Sequence, residues 1–149
     1  MTPASDPGTA TSLPIGSDAD LAWVRHQVRQ FAADLGFGLV QQTKIVTAAS
    51  ELARNTLIHG GGGKAVITPM TKGATWGLRL SFVDTGPGIR DVELAMTDGY
   101  TTGGGLGLGL SGSRRLVDEF TIDTRPGEGT AVTLVAWAAC VPTARPGSA

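Results

Sequence analysis

The stretch from Phe82 to Leu110, FVDTGPGIRDVELAMTDGYTTGGGLGLGL, constrains this chain more than any other. It joins a strand ending in an acid, Asp84, to two glycine clusters and then to the start of a helix. Five of the seven residues from Gly103 to Gly109 are glycine. Glycine loses much conformational freedom on folding, so such clusters mark backbone that turns tightly or comes close to a ligand. A loop of bare N–H groups feeding a helix N-terminus is an anion site, and phosphate is the usual anion. A carboxylate just upstream can accept a hydrogen bond from an amino group such as that of adenine. The stretch reads first as part of a nucleotide site.

Around it the hydrophobic pattern alternates between helical and strand periods. Residues 12 to 16 (SLPIG) suit a short edge strand, because Pro14 excludes a central one. Ser17 or Asp18 caps a helix in which Leu21, Val24, Val28, Phe31 and Leu35 recur at helical spacing, stopped by Gly36. A second helix is expected over about 39 to 58, with Val40, Ile45, Ala48, Ala49, Leu52 and Ile58 as its apolar face and the run Gly60 to Gly63 as its stop. Strands follow at 64 to 69 and 76 to 83, then a short helical piece at 91 to 97 and a helix near 107 to 118. FTIDTR and TAVTLVAW read as a hairpin turning through Pro126, Gly127, Glu128 and Gly129. Paired helices and hairpin strands define an α+β two-layer sandwich, a mixed, mostly antiparallel sheet covered on one face by helices. One domain is expected over 12 to 139, with Pro-, Ser-, Thr- and Gly-rich tails at 1 to 11 and 140 to 149.

Composition narrows the function classes. A 149-residue chain with 41% hydrophobic residues can bury a substantial core. A formal net charge of −1 offers no footprint for nucleic acid or an anionic membrane. The lone Cys140 has no intramolecular partner, which favours a reducing compartment, and nothing beside it in sequence would activate its thiol. Neither a signal peptide nor an apolar run of membrane-spanning length is visible, so a cytoplasmic protein is expected.

The second helix carries the other chemical signal, SELARNTLIHG. Glu51 and Asn55 are four apart and share one helix face. The amide oxygen of Asn55 is a neutral, hard ligand of the kind Mg²⁺ accepts alongside waters and substrate phosphates. The carboxylate of Glu51 can orient or deprotonate a nucleophile beside such an ion. For an arbitrary helix, a solvated polar face is the commoner explanation of such a pair. Asn is, however, a poor residue in mid-helix, because its side chain competes for backbone hydrogen bonds. Gly107, Gly109 and Gly112 spell G-x-G-x-x-G, but no buried strand precedes them, and the G-x-x-x-x-G-K-[ST] pattern is absent. A phosphate site of another architecture is implied.

ELARN, DTGPGI, GGGLGLGL and GEGT, in that order and spacing, resemble the motifs of the Bergerat-fold (GHKL) ATPases, which include gyrase, the 90-kDa heat-shock chaperone, sensor histidine kinases and MutL. Within that superfamily the chain looks like the small bacterial serine/threonine kinases and anti-sigma factors of partner-switching systems. SELARN, the DGY segment before a compact glycine lid, GLGLGLSGSRRLVDEF and the closing GEGT resemble the stressosome switch kinases in particular. The resemblance covers about residues 12 to 138.

The resemblance implies roles residue by residue. Glu51 would be the general base, and Asn55 would bind Mg²⁺ bridging the phosphates of ATP. Asp84 would accept from the adenine amino group, with Gly86 and Gly88 letting backbone close over the base. Gly103, Gly104, Gly105, Leu106, Gly107, Leu108 and Gly109 would form the lid over the phosphates, and the Thr130 hydroxyl would sit beside Asp84. Arg54 and Arg114 are candidate phosphate or partner contacts, although exposed helix charges are the commoner explanation of both, and His59 reads as a helix-terminal residue, since no dimerisation helix pair with a phosphoacceptor histidine is present. The implied partners are a STAS-domain antagonist, phosphorylated on Ser or Thr, and a PP2C-type phosphatase. A sigma factor, held in a nucleotide-dependent way, is the alternative. The run Gly60 to Gly63 receives no role beyond a helix stop.

Overall fold

The computed structural model describes residues 7–87 and 109–139. Five strands form one sheet: β1 (Thr11–Ile15), β2 (Gly63–Lys72), β3 (Thr75–Asp84), β4 (Glu119–Arg125) and β5 (Gly129–Trp137). Their order is β1-β2-β3-β5-β4, and every pairing among these strands is antiparallel. Among the described residues three helices accompany them: α1 (Asp18–Asp34), α2 (Leu39–Ile58) and α3 (Gly109–Arg115). The expected helical piece at 91 to 97 lies outside the described residues.

Side chains alternate across a strand, so the register says which of them share a face. Leu78, Leu80 and Phe82 of β3 align with Ala136, Leu134 and Val132 of β5, and on the other side with Pro69, Ile67 and Ala65 of β2. This face is buried under Val24, Val28 and Phe31 of α1 and Ile45, Ala48, Ala49 and Leu52 of α2. The opposite face carries Arg79 and Trp137. There the Trp137 ring packs against Gly77, where a β-carbon would stand 2.6 Å from its Cζ3, with the Lys72 ammonium 5.0 Å from its centre.

Local signals set the helix limits. The Ser17 hydroxyl accepts from the Asp20 N–H, and Gly36, at φ +89°, ends α1 in a conformation that other residues rarely adopt. The α2 limits agree with the sequence pattern, but its apolar face is rotated from the expected one. Ile45, Val46, Ala48, Ala49, Leu52, Ala53 and Thr56 are buried, whereas Val40 and Ile58 are 69% and 59% exposed. At roughly 100° per residue, those two point about 160° away from the centre of the buried stripe. They belong to the face that carries Glu51 and Asn55.

Several strand and helix boundaries also differ from the sequence reading. β2 and β3 run longer than expected and meet in a tight hairpin at Gly73, φ +61°. In the described residues α3 ends at Arg115, earlier than the expected 118, because Asp118 turns to β5: its N–H donates to the Val135 carbonyl and its Oδ2 accepts from the Trp137 N–H. At the start, β1 begins at Thr11, and the Gly8 N–H already donates to the Pro69 carbonyl at 2.7 Å. Backbone pairing thus reaches into the segment assigned to the N-terminal tail.

Candidate active site

The site is built where the C-terminal end of α2 meets the end of the sheet. Ile15, Gly63, Asp84, Thr130 and Thr124 form one row across all five strands. Asp84 is the last residue of β3 and points to the same face as Phe82, toward the helices. Its Oδ1 accepts the Gly86 N–H at 2.8 Å, a short loop that fixes the carboxylate at the strand's end. Thr130 lies directly opposite Asp84, 9% exposed, its hydroxyl 2.9 Å from that of Thr124.

Glycine makes this crowding feasible. The Asn55 carbonyl accepts the N–H groups of both His59 and Gly60, so α2 closes with Gly60 held over Asp84. A β-carbon on Gly60 would overlap the Asp84 Cγ and stand 2.5 Å from its Oδ2. One on Gly86 would lie 2.7 Å from the Gly60 carbonyl oxygen. One on Gly63 would overlap the Val83 carbonyl oxygen, and one on Gly129, at φ +133°, would overlap the Asp84 carbonyl oxygen. The Gly127 N–H donates to the Pro87 carbonyl at 2.7 Å, pinning the β4–β5 turn to the segment that follows Asp84.

Sequence reasoning missed Gly60 and Gly63 as parts of the site. The available signal was the run of four glycines where one suffices to stop a helix. Of the expected site residues, Asp84, Gly86 and Thr130 gather at this end of α2, the Asn55 backbone carbonyl holds Gly60 there, and Glu51 lies one turn further back along the helix. Gly109 opens α3, which packs on α2 through the buried Leu110. Gly88 and the segment from Gly103 to Leu108 lie outside the described residues. Glu51 and Asn55 are half-buried, and Arg54 and Arg114 are exposed. No cluster of three or more His, Cys, Asp or Glu occurs among the described residues, so a divalent ion here would draw its remaining ligands from phosphate and water.

A half-buried carboxylate at a strand end, crowded by glycines and with a threonine across from it, can accept from the amino edge of a flat base. Residues 40–139 match the family of histidine kinase-, DNA gyrase B- and HSP90-like ATPases, and the chain belongs to that family. ATP is therefore its nucleotide. Over 123 residues, 83% of this chain and 92% of the relative, it is 42% identical to the serine/threonine-protein kinase RsbT of Bacillus subtilis. It is also 32% identical over 117 residues to an anti-sigma F factor of Thermoanaerobacter, spanning 76% of this chain and 82% of that one. Among solved structures, the RsbU and RsbW domains of Rv1364c from Mycobacterium tuberculosis superpose with a TM-score of 0.60 at 23% identity. That match takes in 87% of this chain and 32% of the longer protein, and it speaks for the fold.

Proposed function

We propose that this protein is a protein serine/threonine kinase of a bacterial partner-switching pathway, acting in the cytoplasm. It transfers the γ-phosphoryl group of ATP to a Ser or Thr of a STAS-domain antagonist and, once released, activates a PP2C-type phosphatase. The observation that carries this reading is the Asp84–Gly60–Thr130 arrangement, a carboxylate and a hydroxyl closed in by glycine backbone, with Glu51 and Asn55 on the helix that ends at Gly60. The 42% identity to a serine/threonine kinase supports the choice of reaction.

Each residue then has a task. Asp84 and Thr130 hold and select the base, and the glycines around them admit it. Glu51 accepts the proton of the acceptor hydroxyl as that oxygen bonds to the γ-phosphorus and the bond from phosphorus to the bridging oxygen of ADP breaks. Asn55 would hold Mg²⁺, which when bound supplies positive charge to the phosphate oxygens. The glycine lid, Gly103 to Gly109, would donate backbone N–H groups to the same oxygens.

The test is transfer of label from γ-labelled ATP with Mg²⁺ to the STAS-domain proteins of the same genome. Labelling of one of them on Ser or Thr, lost in Glu51→Ala, is expected. The similarity to anti-sigma F factors supports one second reading, nucleotide-dependent capture of a sigma factor. ATP binding without labelling of any STAS-domain protein would decide for that reading.

A further inference from the structure

We infer that Thr124 is a positioning residue for base selection: it accepts the hydrogen bond of the Thr130 hydroxyl, and so leaves Thr130 only lone pairs to offer a ligand. The pair Asp84 and Thr130 then selects a purine with an exocyclic amino group over one with an exocyclic oxygen. The inference rests on the reading of Asp84 and Thr130 as the residues that hold the base, and deepens it.

The proton count carries the first step. A hydroxyl has one proton to donate and two lone pairs. The Thr124 Oγ1 lies 3.3 Å from the Gly129 carbonyl oxygen and 2.9 Å from the Thr130 Oγ1. A carbonyl oxygen can only accept, so the bond to Gly129 uses the Thr124 proton. The shorter contact is then donated by Thr130, and it consumes the one proton that Thr130 has. Thr124 and Thr130 are cross-strand partners on β4 and β5, and both are β-branched, which restricts the rotation that would break the pair. Thr130 is also buried, so bulk water has little access to its hydroxyl.

The same row sets a second acceptor beside the first. Thr130 stands directly opposite Asp84, which puts their β-carbons about 4.5–5.5 Å apart. The Gly86 N–H occupies Oδ1 of Asp84, and Oδ2, beside Gly60, is the oxygen left to meet a ligand. The two N–H bonds of one amino group diverge by about 120° and reach acceptors at about 2.9 Å each, so they span acceptors about 5 Å apart. A base with an oxygen in that position brings a third acceptor to the two already there. A site built this way rejects the oxo analogue because its own polar groups are left unpaired.

Thr124→Val and Thr124→Ala, each in the full chain, remove the acceptor for the Thr130 proton, and Thr124→Ser keeps it. Affinities for Mg-ATP and for the magnesium salt of inosine triphosphate, which carries an oxygen in place of the amino group, are measured by calorimetry. The wild type should prefer ATP. In Thr124→Val and Thr124→Ala the freed Thr130 proton can be donated to the oxo group. The preference should therefore narrow about five-fold, through tighter binding of the inosine nucleotide, with ATP affinity within about two-fold of wild type. Thr124→Ser should keep the wild-type preference.

A preference within about two-fold of wild type in both Thr124→Val and Thr124→Ala overturns the inference, and a common fall in the two affinities is what a merely structural role would give. So does a preference that narrows as far in Thr124→Ser. A wild type that binds the inosine nucleotide as tightly as ATP overturns the reading of Asp84 and Thr130, and the inference with it. None of these measurements uses an acceptor protein, so their outcome is separate from the test of phosphoryl transfer.

Discussion

The Asp84 carboxylate occupies the space that a side chain at residue 60 would fill: a β-carbon there would overlap its Cγ and stand 2.5 Å from its Oδ2. Gly60 is itself fixed, because its N–H donates to the carbonyl of Asn55 at 3.1 Å. The end of the helix bearing the proposed base and metal ligand and the end of the strand bearing the proposed adenine acceptor thus meet at a residue with no side chain. Neither can shift without the other.

Gly60→Ala should consequently displace Asp84 and weaken ATP binding while leaving the fold intact, since Gly60 lies at the surface end of α2 rather than in the core. Loss of one well-placed charged hydrogen bond costs about 1.5–3 kcal/mol, or roughly ten- to a hundred-fold in affinity. Calorimetric titration with Mg-ATP reads the loss, and circular dichroism reads the fold. An alanine variant that binds ATP as tightly as wild type would show that Asp84 does not hold the base.

Thr130 sits across from Asp84 with its hydroxyl 2.9 Å from that of Thr124. Thr130→Val keeps the shape and removes the hydroxyl. Thr124 retains a partner in the Gly129 carbonyl at 3.3 Å, so the fold should tolerate the change. ATP affinity should fall about five-fold, the worth of one neutral hydrogen bond of about 1 kcal/mol. Titration with ATP and with GTP measures it, and a fall for ATP alone would place the hydroxyl at the adenine edge.

Much of this arrangement was legible in the chain because it is local. Period and punctuation located α1 through Ser17 and Gly36, α2 from 39 to 58, and the β4–β5 hairpin around Gly127. DTGPGI put an acid at a strand end, where Asp84 stands. What was not legible depends on contacts between distant segments. Val40 and Ile58 look like core residues by composition, but the phase of α2 is set by which face meets the sheet. The run Gly60 to Gly63 looks like a generous helix stop until β3 is brought beneath it. The end of α3 moved from 118 because Asp118 found partners on β5, which no spacing rule anticipates.

The core makes a stability prediction independent of the site. Leu80 and Leu134 are cross-strand neighbours in the middle of the sheet, both 0% exposed and covered by the helices. Leu80→Ala removes three carbons from a place where rigid strands and helices limit collapse, and should cost about 2–5 kcal/mol. Urea unfolding followed by circular dichroism measures this as a lower midpoint with an unchanged slope. A loss under 1 kcal/mol would mean that the two layers can close over the gap.

The separation of Glu51 from Asp84 makes the sharpest functional prediction. Glu51 lies on α2 one turn before Asn55, whereas the row proposed to bind the base runs through Gly63, Asp84 and Thr130 at the sheet's end. A residue that takes a proton only during transfer contributes to the rate and not to ground-state affinity. Glu51→Ala should therefore lower the rate of transfer about 10²–10⁴-fold while Mg-ATP affinity stays within two-fold of wild type. Glu51→Gln, which keeps the size and loses the basicity, should fall as far. Single-turnover transfer and calorimetry on the same preparations separate the two quantities. If the glutamine variant kept most of its rate, Glu51 would be positioning the acceptor rather than deprotonating it, and an equal loss of ATP affinity would make it a ligand of the nucleotide.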